Sequence, residues 1–243
     1  MTDTVPAVPA PAKPKDAPSA PARELTPLRQ AVSGHIQTLQ TGYLGNHSEA
    51  VQALARLRRG VGRQPTQTPD LWGLVGVEAF HAAYLARRGR PAPDADAVRA
   101  ERAAHIAVTL WAVHQQSNRS KRMHISGGPS MGTAVRRLMS GGDADDPIRK
   151  RLVRAGTSST LDVLASRLRE LVTLLRTAEV PLDYGLLAEQ FDLWQRPGGA
   201  DQVRQTWGRG FHAASTPAAR SANDANAPAA PPQNATNEMR ESE

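Results

Sequence analysis

Five leucines set the frame for this chain. Leu161, Leu164, Leu168, Leu171 and Leu175 follow one another at steps of three, four, three and four residues. That rhythm places all five on one face of an α-helix, while Arg167, Arg169, Glu170 and Arg176 fall off it. A helix with such a face must bury it, and at this length the spacing predicts packing inside a bundle. The helix is expected over 158–177, with Ser158 and Ser159 as N-cap candidates and Pro181 beyond its end.

The same apolar steps run through most of residues 25–211, with few β-branched runs and little period-two alternation. The expected fold is all-α, a helical bundle of about eight to nine helices in one or two lobes. Helices are predicted over 27–41, 48–59, 70–88, 94–116 and 130–139, then over 183–194 and 200–212 beyond the leucine helix. Gly45-Asn46, residues 60–64, Gly89-Arg90-Pro91, Gly127-Gly128-Pro129 and Arg196-Pro197-Gly198-Gly199 break the pattern. Ser48, Asp70, Asp94 and Ser130 supply caps. Residues 141–146 form the candidate hinge between an N-terminal helical lobe, 25–140, and a C-terminal one, 147–213. The aspartates 143, 145 and 146 suggest a metal loop less well than an N-cap at Asp146 with Pro147 in the first helical position.

Residues 1–24 contain six prolines and six alanines and no aromatic residue, and 214–243 have the same character. Both are expected to be disordered tails, because too little apolar surface is present to offset the entropy of ordering them. The tails hold five of the 30 basic residues and seven of the 23 acidic ones, so the excess of positive charge lies in the core. Such a core suits a polyanionic partner: nucleic acid, an anionic membrane surface or an acidic protein. Cysteine is absent, which excludes disulfides and thiolate chemistry and suits a reducing compartment. No apolar run approaches the ~18 residues of a membrane span, and the N-terminus lacks a signal-type apolar stretch. A cytoplasmic protein without membrane contact is expected.

An enzyme reading finds little support in the residues. Glu78 and His81 have the Glu-x-x-His spacing of di-iron bundles, but those need it twice, and Glu101 and His105 are four apart. His35, His47, His114, His124 and His212 show no ligand spacing. The Gly127 to Gly132 segment lacks the lysine of a phosphate-binding loop. No cofactor is expected.

The basic residues, by contrast, come in groups. Arg56, Arg58 and Arg59 end one helix. A second series comprises Arg119, Lys121, Arg122, Arg136, Arg137, Arg149, Lys150, Arg151 and Arg154. Cations in the last turn of a helix complement its dipole, which covers Arg58, Arg59, Arg136 and Arg137. The loop carrying Arg119, Lys121 and Arg122 has no such reason to be basic, so phosphate contact is expected there. Trp72, Phe80, Tyr84, Trp111, Phe191, Trp194, Trp207 and Phe211 lie within apolar helical patterns and are expected in the core, which leaves backbone-directed rather than base-stacking recognition. Residues 148–154, the turn at Ala155-Gly156-Thr157 and the leucine helix also sketch a helix-turn-helix. A free-standing helical DNA-binding regulator is therefore a second reading, although the leucine stripe suits a scaffold better than a recognition helix.

Several stretches together resemble the CasB family, the small subunit of the type I-E CRISPR Cascade complex. They are Leu54-Ala55-Arg56-Leu57-Arg58-Arg59-Gly60, Met123-His124, Ser130-Met131-Gly132-Thr133-Ala134-Val135-Arg136-Arg137-Leu138, Pro181-Leu182-Asp183-Tyr184-Gly185-Leu186-Leu187 with Trp194-Gln195, and Trp207-Gly208-Arg209-Gly210-Phe211. Met131 stands where leucine is expected in that family. The resemblance implies a small helical, non-catalytic subunit, present twice in Cascade beside the large and backbone subunits. It also implies contact with guide RNA and with target and displaced DNA strands, supporting the R-loop in antiviral defence. Motif matches carry Arg56, Arg58, Arg59, Arg136 and Arg137 into that role. The other cations rest on charge alone.

Overall fold

A computed structural model describes residues 24–139 and 147–214. The expected hinge at 141–146 lies outside the described residues, as do the expected tails apart from Glu24 and Ala214. Nine α-helices are present among the described residues: α1 (Pro27–Leu44), α2 (Ser48–Arg59), α3 (Val77–Arg88), α4 (Asp94–Gln115), α5 (Met131–Arg137), α6 (Pro147–Gly156), α7 (Leu161–Thr177), α8 (Tyr184–Trp194) and α9 (Gly199–Ala213). The all-α expectation holds.

The central post is α4. Every residue from Ala103 to Gln115 is buried, the mark of a helix surrounded on all sides. Helices α1, α2, α3, α7 and α8 all pack against it, and α5 lies along α9. The leucine stripe of α7 is buried throughout, facing α4 and α6. One contiguous apolar core links residues from before and after 140–146, from Leu28 to Phe211. Close approach is enforced where α5 meets α9: a β-carbon on Gly132 would stand 1.9 Å from the Trp207 carbonyl oxygen.

Side-chain caps mark four of the nine described helices, whereas the expected caps Ser48 and Asp94 are the first residues of α2 and α4, which begin without a side-chain cap. Thr26 caps α1 by accepting from the Arg29 N–H at 3.3 Å, with Pro27 in the first turn. Ser130 caps α5 and Asp183 caps α8 in the same way. The leucine helix starts three residues later than expected. Thr160 rather than Ser158 or Ser159 is its cap, accepting from the Val163 N–H at 3.3 Å, and Ser158 instead accepts a hydrogen bond from Arg167.

The largest departure is the expected helix over 70–88, which begins only at Val77. Residues 65–71 form two short 3₁₀ turns, and Gly73 and Gly76 then take positive φ of 75° and 76°, in the left-handed region that interrupts an α-helix. Asp70 therefore caps no long helix. Trp72, expected in the core, is 74% exposed, whereas Phe80, Trp111, Phe191, Trp194, Trp207 and Phe211 are buried and Tyr84 is half-buried.

Candidate nucleic-acid interface

The structure sorts the basic residues into three groups. The first is the C-terminal turn of α2, where Arg56, Arg58 and Arg59 are all exposed. The heptad-like burial of Ala50, Ala53, Leu54 and Leu57 turns the intervening arginines outward. Arg56 donates to the Asp70 carbonyl. Neither Arg58 nor Arg59 holds an ion pair among the described residues. In the loop beyond, the Arg63 carbonyl faces His105 Nε2 at 3.1 Å, and Arg63 and Arg169 line one recess between this loop and α7.

The second group is the 118–122 loop. Arg119 lies over the Tyr43 ring at 4.0 Å and donates to the Tyr43 carbonyl at 3.1 Å and to Asn46 Oδ1 at 3.2 Å. Lys121 pairs with Glu179, and Arg122 donates to Thr41 Oγ1 at 3.3 Å. These contacts give the loop cations a job within the chain that the sequence did not reveal. They also fix the loop at the end of α1 and the turn into α2, whereas the Arg56 to Arg59 turn lies at the far end of α2, a helix roughly 16 Å long at 1.5 Å per residue.

The third group joins α5, α6 and α9. Arg136 lies over the Phe211 ring at 5.7 Å. Arg149, Lys150, Arg151 and Arg154 are exposed on α6, whose buried face carries Leu152 and Ala155. Arg137 is exposed at the end of α5, and α5 packs on both α6 and α9. A groove between α6 and α9 is lined by Arg149 and Arg204 over an apolar floor that includes Leu152, Trp207 and Phe211. Arg204, which reading the sequence missed, lies over the Trp194 ring at 5.2 Å, donates to the Gly156 carbonyl at 2.6 Å and pairs with Asp201. Its signal was available: on α9 it sits off the face made by Val203, Trp207 and Phe211.

The histidines are structural in their settings. His81 Nε2 is 3.4 Å from Glu101 Oε1, but His105 turns away to the Arg63 carbonyl. Among the described residues, no group of three or more His, Asp or Glu side chains could hold a metal ion. Burial lowers the pKa of His35, His105 and His124, and takes His114 down to about 3. His114 Nδ1 is 2.9 Å from the Tyr184 hydroxyl. The Tyr184 backbone N–H donates to His124 Nδ1 at 3.2 Å, which fixes the proton of neutral His124 on Nε2, where it donates to Ser126 Oγ at 3.3 Å. Gln40 bridges this network, receiving the His124 N–H at 2.8 Å and donating to the His124 carbonyl at 3.0 Å. The network positions the 123–130 loop and hence α5. It was not legible beforehand, since its hydrogen bonds join residues up to 84 apart.

Helices α6 and α7 pack on each other across residues 157–160, as the helix-turn-helix outline anticipates, but α7 is 17 residues long and also packs on α4. Helix α7 packs its leucine face on α4 and α6, and Arg167 on its flank is spent on the Arg154 carbonyl and Ser158. No described helix is long and apolar enough to cross a membrane.

Fold and surface together define a small all-α bundle with arginine clusters on its outer faces. The family model for the CRISPR-associated protein Cse2 matches residues 53–212, and the chain belongs to that family. The crystal structure of CasB from Thermobifida fusca is 46% identical, with a TM-score of 0.68, covering 78% of this chain and 99% of its own. A chain of a CRISPR RNA-guided surveillance complex shares the fold at 23% identity and a TM-score of 0.56, covering 80% of this chain and 99% of its own. A Cse2-family protein from Thermus thermophilus does so at 18% and 0.53, covering 76% and 97%. No curated protein sequence matches the chain.

Proposed function

We propose that the protein is the non-catalytic small subunit of a cytoplasmic CRISPR Cascade complex, binding nucleic-acid backbone and stabilising the R-loop formed by guide RNA and target DNA. The observation that carries this is the set of exposed arginines without carboxylate partners among the described residues, Arg58, Arg59, Arg137 and Arg151, on a chain of a CRISPR-associated family. Cations left without a carboxylate keep their charge available for phosphates, and a guanidinium can hold a phosphate through two parallel hydrogen bonds. Base pairing to the guide reads the sequence, so the protein has only to hold strands by their backbones. The large and backbone subunits, and a second copy of the chain, are its proposed neighbours.

Purification of the tagged protein from cells expressing the neighbouring subunits tests this directly. Recovery of those subunits with a guide RNA of uniform length is the expected result. Recovery of the protein alone, free of RNA and giving a sequence-specific footprint on DNA, would overturn it in favour of a free-standing regulator.

A further inference from the structure

Trp72 is 74% exposed, whereas Trp111, Trp194 and Trp207 are 0%, 7% and 2% exposed. An indole left in water forgoes the stabilisation that burial would bring. The backbone holds it there. Trp72 ends the second 3₁₀ turn at φ −58° and ψ 137°, and Gly73 and Gly76 follow with positive φ. A β-carbon on Gly76 would lie 2.8 Å from His35 Cβ, so the loop is pinned against α1 while its tryptophan points away.

The charges around Trp72 are divided. Arg56 donates to the carbonyl of Asp70, two residues before the indole, which brings the end of α2 against this same loop. Trp72 also lines a recess together with Leu71, Glu78 and Glu101. A polyanion is drawn toward the arginines of α2 and repelled by Glu78 and Glu101. A flat aromatic face beside a cationic track is what a single strand offers its phosphates and unpaired bases to, and a duplex hides those base faces in its stack.

We infer that Trp72 is a stacking platform for an unpaired base of a single-stranded nucleic acid whose phosphates follow Arg56, Arg58 and Arg59. This rests on the backbone-binding function proposed above and adds a base-contacting site to it. Glu78 and Glu101 bar the phosphates from the recess, so the strand crosses Trp72 with its backbone toward α2.

The test uses the full chain at low salt with labelled oligothymidylate of about 15 nucleotides, an abasic strand of equal length, and oligouridylate. The wild type is expected to bind a base-bearing strand about 5- to 150-fold more tightly than the abasic one, the range that one stacked base supplies. Preference between thymidylate and uridylate then assigns the strand as DNA or RNA. Trp72→Ala should abolish the preference for bases with abasic binding unchanged, and Trp72→Phe should retain most of it. Equal binding of base-bearing and abasic strands by the wild type would overturn the stacking site and leave the phosphate-binding function standing. Absence of binding to all three would overturn both. A Trp72→Ala variant that keeps the base preference but fails to join neighbouring subunits would overturn the stacking site and assign the indole to a protein contact.

Discussion

Arg29 Nη2 donates to Asp183 Oδ2 at 2.8 Å, joining α1 to the first turn of α8 across 154 residues of chain. The Asp183 side chain is fully buried and also accepts from the Gly127 N–H at 3.0 Å and, as the cap of α8, from the Leu186 N–H at 2.9 Å. One carboxylate thus holds α1, α8 and the loop before α5 together. Asp183→Ala should cost about 2–3 kcal/mol, since it removes a cap, the bond to Arg29, which is left with Glu189 at 3.7 Å, and the acceptor of the Gly127 N–H. Urea denaturation checks this, and a loss below about 1 kcal/mol would show that the carboxylate does not anchor the three elements.

Two glycines should respond to alanine with opposite signs. Gly132 has no room beside Trp207, whereas Gly208, the residue after Trp207 on α9, has nothing within 4 Å of where its β-carbon would be. Gly132→Ala should destabilise by about 1–3 kcal/mol through forced separation of α5 and α9. Gly208→Ala should gain about 0.5–1 kcal/mol of helix propensity. Thermal melts of the two variants decide it, and a tolerated Gly132→Ala would mean the two helices can part freely.

Acid should weaken the fold well before the carboxylates titrate. His114 is neutral in the folded protein down to about pH 3 because of its burial, while in the unfolded chain it takes a proton near its ordinary 6.5. Its contribution is therefore complete above about pH 6.5 and declines as pH falls toward 3, by at most about 1.4 kcal/mol per pH unit. Burial lowers His35, His105 and His124 as well, and each acts with the same sign. Stability measured between about pH 7 and pH 5 should fall. In His114→Gln the dependence should be shallower even though the variant is less stable overall, and an unchanged slope would remove His114 from the account.

Neutralising the α2 turn should change salt dependence more than stability. Alanine at Arg56, Arg58 and Arg59 together should reduce the log–log salt slope for a single strand by about two, at about 0.7 per lost phosphate contact. These side chains are exposed, so the melting temperature should move little. An unaltered slope would place the phosphates elsewhere, on the α5 and α6 arginines.

The fold was legible wherever a helix carries its own periodicity and cap. The leucine stripe of α7, Pro27 behind Thr26, and Ser130 before α5 are local signals, and local signals survive in any tertiary setting. The segment from Asp70 to Val77 failed for a local reason as well: two glycines broke a pattern that apolar spacing alone continued.

For the candidate interface, sequence by itself determined that arginines cluster at the end of α2 and along α5 and α6, because their alternation with buried leucine and alanine turns them outward. Only the tertiary structure decided which cations are spent inside the molecule and which face water. Arg119 on Tyr43 and Lys121 on Glu179 are contacts between residues 58 to 76 apart. Folding also brings the loop that carries Trp72 against Arg56 of α2 and leaves the indole in solvent. No period or motif encodes that adjacency, since it depends on where a loop of positive-φ glycines lands once α1, α2 and α4 have packed.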